Sequence, residues 1–220
     1  MNRIFITGIG IISAIGNSVA ENHLALKEAK SGIDKKLDLF STKFADTLPF
    51  GRVKINTENL INKLRITDTG ITRTSMLALH AFEEAVADAG LSNTDISNMD
   101  TALIGASTVG GMCLTDELFV DANKCEQGSD YTQSYDCASI CLFLQKRYKM
   151  NGIINSINTA CSSSANAIMF GASLIKNGFA KKAIVGGADS LAKFTINGFN
   201  ALHILSSDIC TPFDENRKGL

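Results

Sequence analysis

Residues 157–178, INTACSSSANAIMFGASLIKNG, set one cysteine ahead of three serines and a long apolar run. The stretch IINSI before it reads as a strand that passes through Asn158, Thr159 and Ala160 into Cys161, where a helix starts. A thiol on a strand–turn–helix junction is placed for nucleophilic chemistry. The unpaired N–H groups of a helix's first turn, with its dipole, stabilise negative charge and favour the thiolate. The same N–H groups can hold the oxyanion formed when the sulfur attacks a carbonyl carbon. Ser162, Ser163 and Ser164 are small enough to let a substrate approach. A second reading stays open on these residues alone: Cys161 as a small buried apolar side chain, with the serines as helix caps. A hydrolase elbow carries glycine two residues either side of its nucleophile, and Thr159 and Ser163 stand there instead, which counts against a hydrolase.

Other motifs carry less. TGIGIISAIG follows a strand-like run, but Ser13 occupies the place of the third glycine of a dinucleotide loop, so a tight turn into the next helix is expected. GASTVGGM, residues 105–112, lacks the Gly-Lys-Ser/Thr ending of a phosphate loop and reads as backbone lining a pocket or as a plain loop. The cysteines at 113, 125, 137, 141, 161 and 210 include no CxxC pair, and His23, His80 and His203 are scattered. No metal site and no cofactor are expected from such spacing, and Cys137 and Cys141 read as buried free thiols on one helix.

The elements that must position Cys161 follow from periodicity. Short β-rich apolar runs at 3–7, 101–107, 152–157 and 182–187 each end in small residues and read as buried strands. Between them, Met76, Leu79, Phe82, Val86 and Ala89 recur at three and four within 73–90, with Gly90 as the stop. Further helices are expected over 134–148 and from Cys161 to about Gly178, whereas 30–70 shows no clear period. Strands alternating with helices imply right-handed crossovers and a covered, mostly parallel sheet in one α/β unit. With 45% hydrophobic residues, 20% charged residues and a net charge of -1, the composition is that of a globular protein without a nucleic-acid or anionic-membrane footprint. The opening MNRIFITGIGIISAIG is interrupted by Thr7, Gly8, Gly10 and Ser13, so neither a signal peptide nor a membrane span is read there, and the chain is expected to be soluble and cytoplasmic.

Gly152, Ile157, Ala160, Cys161, the three serines and Ile168 together resemble the active-site signature of the β-ketoacyl synthases. FITGIGIISAIGNS, EEAVADAGL, VGGADS and NGFNALHILSSDICTPFDENRKGL resemble further stretches of the same family, so the likeness covers nearly the whole chain. The resemblance implies a thiolase-like fold, a layered α-β-α arrangement about a mixed, mostly parallel sheet, of which residues 1–220 would be the N-terminal half. It implies a Claisen condensation in which Cys161 takes an acyl group from acyl carrier protein or coenzyme A and a malonyl thioester supplies the carbanion. The backbone N–H of Cys161 would form half of the oxyanion hole, and Val109 and Phe199 would line the acyl pocket. Lys63, Arg65 and Arg73 fall where relatives meet the acidic carrier protein. Relatives also pair their third strand across a two-fold axis, which makes IINSI the expected homodimer contact.

Family members are about twice as long, and their decarboxylating histidines, a supporting lysine and the second oxyanion donor lie in the C-terminal half. None of His23, His80 and His203 stands in a matching motif. The leading expectation is the nucleophile-bearing half of a condensing enzyme, dependent on a C-terminal half or a complete synthase for full activity. The alternatives are a non-catalytic partner subunit, against which the retained Cys161 argues, and a cysteine thioester hydrolase.

Overall fold

In the computed structural model of the protein, every residue is described except 1–2, 116–117, 120–123, 125 and 127; Cys125 therefore lies outside the described residues. In chain order the elements are helix α1 (Val19–Lys27), two-residue strands β1 (Ile33–Asp34) and β2 (Phe50–Gly51), and helices α2 (Thr57–Leu64), α3 (Arg73–Asp88) and α4 (Asn93–Ser97). Strand β3 (Thr101–Ala106), helix α5 (Ser139–Tyr148), strand β4 (Ile154–Ile157), helix α6 (Ser163–Lys176), strand β5 (Lys182–Gly187) and helix α7 (Lys193–Ala201) follow. Single 3-10 turns stand at Met112–Leu114, Thr132–Ser134 and Ala160–Ser162.

The three strands expected at 101–107, 152–157 and 182–187 form one parallel sheet in the order β4-β3-β5. Leu103 lies opposite Ile154 in one ladder, and Thr101 lies opposite Lys182 in the other. Every residue of β3 is buried, and the two-residue period of the strand divides them between two cores. Leu103 joins Leu79, Phe82, Ile140 and Leu144 of α3 and α5. Ala102, Ile104 and Ala106 face Ala167 and Leu174 of α6. A strand covered on both faces reads as a continuous apolar run because neither face meets water. Two glycines permit the close layering: a side chain at Gly105 would collide with the Cys141 thiol of α5, and one at Gly171 of α6 would collide with Val185 of β5.

Helix α3 matches the expected span, with Met76, Leu79 and Phe82 buried, and Gly90 at φ +63° ends it. The helix expected over 134–148 begins at Ser139, after a 3-10 turn. Residues 30–70 hold the β1–β2 pair and α2, whose start is capped by the Asn56 side chain on Asn59 N at 2.7 Å. Eight residues with Leu60 and Leu64 inward give too short a pattern to stand out by period.

The buried strand expected at 3–7 is not formed. Residues 3–12 make no ladder, and Phe5 and Ile6 are 74% and 82% exposed. A strand is stable only when its N–H and C=O groups find partners. Here a cavity of about 170 Å³, walled by Ala85 and Val86 of α3 and by Ala172 and Ile175 of α6, lies between residues 4–8 and β5. The segment is tied to α3 instead: Ile9 N donates to Asp88 Oδ2 and Ile11 N to Glu84 Oε2, both at 2.9 Å. Among the described residues no helix is long and apolar enough to cross a membrane.

Candidate active site at Cys161

Cys161 is exposed and sits where sequence placed it, between β4 and α6, on the 3-10 turn Ala160–Ser162. The Ser162 side chain does not cap α6, as the alternative reading of the serines would require. Ser162 Oγ turns back to Thr159 O at 2.9 Å, and Ser163 Oγ donates to Ala160 O at 2.7 Å while accepting Thr159 N at 2.9 Å. Asn166, one turn into α6, donates to Thr159 Oγ1 at 2.7 Å. The turn is therefore held from within α6 itself.

Ala160, next to the sulfur-bearing residue, adopts φ +53°. This left-handed conformation costs a non-glycine residue about 1–2 kcal/mol and persists only where its surroundings impose it. Here they do so by gripping the Ala160 carbonyl from two sides, Ser163 donating both its hydroxyl and its backbone N–H and Thr108 Oγ1 donating from 3.2 Å. Thr108 belongs to the turn after β3, which is organised by one carboxylate. Asp189 Oδ1 accepts Ser107 Oγ at 2.7 Å and Val109 N at 2.9 Å, and both its oxygens lie 3.1 Å from Thr108 N. Ser107 Oγ in turn accepts Gly110 N at 2.8 Å. Sequence reading missed Thr108 and Asp189; the glycines of STVGGM and VGGADS marked both turns but not their pairing.

Cys137 adjoins the same network. Its thiol donates to Thr108 O at 3.6 Å and accepts Asn158 Nδ2 at 3.3 Å. Burial raises the Cys137 thiol above its ordinary value, outweighing the Asn158 bond, and the Asp136 and Asp189 charges add to the rise. Burial raises the Cys141 thiol as well. Alkylation with iodoacetamide at neutral pH is accordingly expected to modify Cys161 ahead of Cys137 and Cys141, as read by peptide mapping; equal labelling of the three would contradict this ordering.

The remaining expected site residues divide. Val109 is buried in the Asp189-held turn, and Phe199 lies 39% exposed on α7, which packs on the Met112–Leu114 turn just beyond Val109. The helix bearing Phe199 thus meets the turn that follows Val109. Lys63 and Arg65 are exposed at the C-terminal end of α2. Arg73, expected beside them on the carrier-facing side, is half-buried. Its guanidinium donates to Thr57 Oγ1 at 3.1 Å, Val53 O at 3.0 Å and Ile55 O at 2.7 Å, and burial, then the Arg52 charge, lowers its pKa. It ties the 53–57 segment to α3. His80 Nε2 is engaged with Asn17 O at 2.6 Å, away from the cysteine turn. A cavity of about 460 Å³ opens among Phe40, Ile66, Ile71, Met76 and Leu191 and is not lined by Cys161, Val109 or Phe199. Among the described residues no three His, Cys, Asp or Glu side chains gather as metal ligands.

The protein-family profile "Beta-ketoacyl synthase, N-terminal domain" matches residues 1–220. The 3-oxoacyl-[acyl-carrier-protein] synthase 1 of Haemophilus influenzae is 31% identical, the match taking in 100% of this chain and 56% of that protein. The Escherichia coli K12 protein of the same name is 30% identical over 94% of this chain and 52% of its own length. The chain thus spans about half the length of these curated relatives. Among solved structures, a β-ketoacyl synthase from Burkholderia phymatum superposes with a TM-score of 0.81 at 23% identity, covering 100% of this chain and 56% of that one. The ishigamide ketosynthase/chain length factor superposes with a TM-score of 0.85 at 23% identity, covering 98% and 54%. At such identity the superpositions establish the shared thiolase-like fold. Together with a lone exposed thiol between β4 and α6, the full-length profile match places this chain in the β-ketoacyl synthase family.

Proposed function

We propose that this chain carries the nucleophile of a β-ketoacyl synthase and is loaded on Cys161. The Cys161 thiolate attacks the carbonyl carbon of an acyl thioester, the C–S bond to the carrier breaks, and the acyl group remains as a thioester on the enzyme. A malonyl thioester then loses carbon dioxide, and its carbanion attacks the acyl carbon, releasing Cys161 as thiolate and a β-ketoacyl thioester. The oxyanion of each tetrahedral intermediate falls to the Cys161 N–H. The observation that carries this reading is the exposed sulfur on a turn whose preceding residue is held at φ +53° by two hydroxyl groups.

Loading requires only the thiol and its oxyanion donor. Decarboxylation needs groups beyond the three histidines here, so condensation is assigned to this chain together with a C-terminal half or a second subunit. Intact-mass spectrometry after incubation with acyl-carrier-protein or coenzyme A thioesters tests the loading step: one acyl adduct on Cys161 is expected, and its absence would overturn the reading. Val109 and Phe199 are assigned to the acyl pocket, and the exposed Lys63 and Arg65, with the half-buried Arg73, to the acidic carrier. One of the solved relatives, an acyl-carrier protein in complex with its ketosynthase, supports a carrier partner.

Association is assigned to β4. Among the described residues it pairs only with β3 and so presents an open edge, and Ile153 beside it is 37% exposed. Sedimentation is expected to find a dimer whose weight halves when Ser156, at the middle of that edge, is replaced by proline; a wild-type monomer would refute the contact.

A further inference from the structure

Ala160 O and Cys161 N–H belong to one peptide unit, and among the described residues no peptide bond is cis. In a planar trans peptide the C=O and N–H point in opposite directions, so whatever fixes the carbonyl also aims the N–H. We propose that Asp189 and Thr108 act as positioning residues for the reaction of Cys161, holding the Ala160–Cys161 peptide so that the Cys161 N–H points at the developing oxyanion. The inference rests on the acyl-loading reading above and assigns roles to residues outside its motif.

The relay has two links. Asp189, two residues beyond β5, holds three successive residues of the turn after β3 through Ser107 Oγ, Thr108 N and Val109 N. That turn in turn presents Thr108 Oγ1 to Ala160 O at 3.2 Å, across a sequence separation of 52 residues. Ser163 grips the same carbonyl from within the nucleophile's own helix. Without Thr108 the peptide would be held on one side only, next to a residue whose left-handed conformation favours relaxation. The arrangement also places Val109 and the Cys161 turn on a single carboxylate, so the wall assigned to the acyl pocket and the oxyanion donor move together.

Two reactions of the same sulfur separate this role from a merely structural one. Acyl transfer passes through a tetrahedral oxyanion and needs the N–H aimed; alkylation by iodoacetamide is a displacement at saturated carbon and does not. Both rates are to be measured by intact mass on the 220-residue chain, with hexanoyl-N-acetylcysteamine thioester as acyl donor. The variants are Thr108→Val, Thr108→Ser, Asp189→Ala and the double variant Thr108→Val with Asp189→Ala. Thr108→Val and Asp189→Ala are expected to slow acylation by about 10- to 100-fold, the range for a misplaced catalytic group, with alkylation within about twofold of wild type. Thr108→Ser, which keeps the hydroxyl, is expected to restore acylation. The double variant is expected to be no slower than Asp189→Ala, because both residues serve one relay.

Unchanged acylation in both single variants would overturn the relay alone. Acylation and alkylation falling in parallel would also overturn it, by reducing the residues to supports of the turn. A wild-type chain that is alkylated but never acylated would overturn the loading reading and the relay with it.

Discussion

Replacing Cys161 by alanine is expected to abolish acyl loading, by about 10³-fold or more, while leaving the fold intact. The side chain is exposed and makes no part of the sheet's two cores, so its removal opens no cavity. The turn that carries it is held by Ser162, Ser163 and Thr108 through backbone and hydroxyl oxygens that the substitution does not touch. Intact mass before and after exposure to an acyl thioester, with a thermal melt of each protein, checks both halves of the expectation. Cys161→Ser sharpens it: the shape is nearly kept, but a hydroxyl is far less acidic than a thiol, and loading should still be lost. An adduct persisting in Cys161→Ala would move the nucleophile to another thiol and would sink the proposed function.

Leu79→Ala is expected to cost about 2–5 kcal/mol, the range for emptying a buried leucine site. Leu79 is 0% exposed at the centre of α3 and belongs to the core that binds α2, α3 and α5 to the Leu103 face of β3. None of these elements can close on the void without leaving the sheet. A loss of that size lowers the melting midpoint by about 5–15 °C in a domain of this length. Leu142→Ala on α5, at a position 55% exposed, serves as the control and should shift the midpoint little. Equal shifts for both would mean that α3 does not form the core described.

Much of the fold is legible because local rules write it. The run TALIGA at 101–106 lies between two layers of helix, so its continuous apolar character identifies a covered strand. Met76, Leu79 and Phe82 mark the inner face of α3 by their spacing, and Gly90 marks its end. The junction at Cys161 follows from the same logic, a β-rich run giving way to small residues and then to a helical pattern. The segment FITGIGI misled because it is strand-like in every local respect but lacks a ladder partner; the N–H groups of Ile9 and Ile11 go to Asp88 and Glu84 instead. The partners of Arg73 were equally hidden, since a basic residue at a helix start gives no sign that three oxygens at 53–57 will bind it.

By itself, then, the sequence determined the three strands at 101–106, 154–157 and 182–187 with the helices α3, α5 and α6, the parallel layering they imply, and the place of one thiol at the mouth of a helix. Each of these depends on residues within a few positions of one another. Only the tertiary structure decided which groups surround that thiol: Asp189 reaches Ser107 across 82 residues, and Thr108 reaches Ala160 across 52. Such bonds leave no mark in spacing, because they form only when the parallel pairing of β3 with β5 and of β3 with β4 brings the ends of those strands side by side.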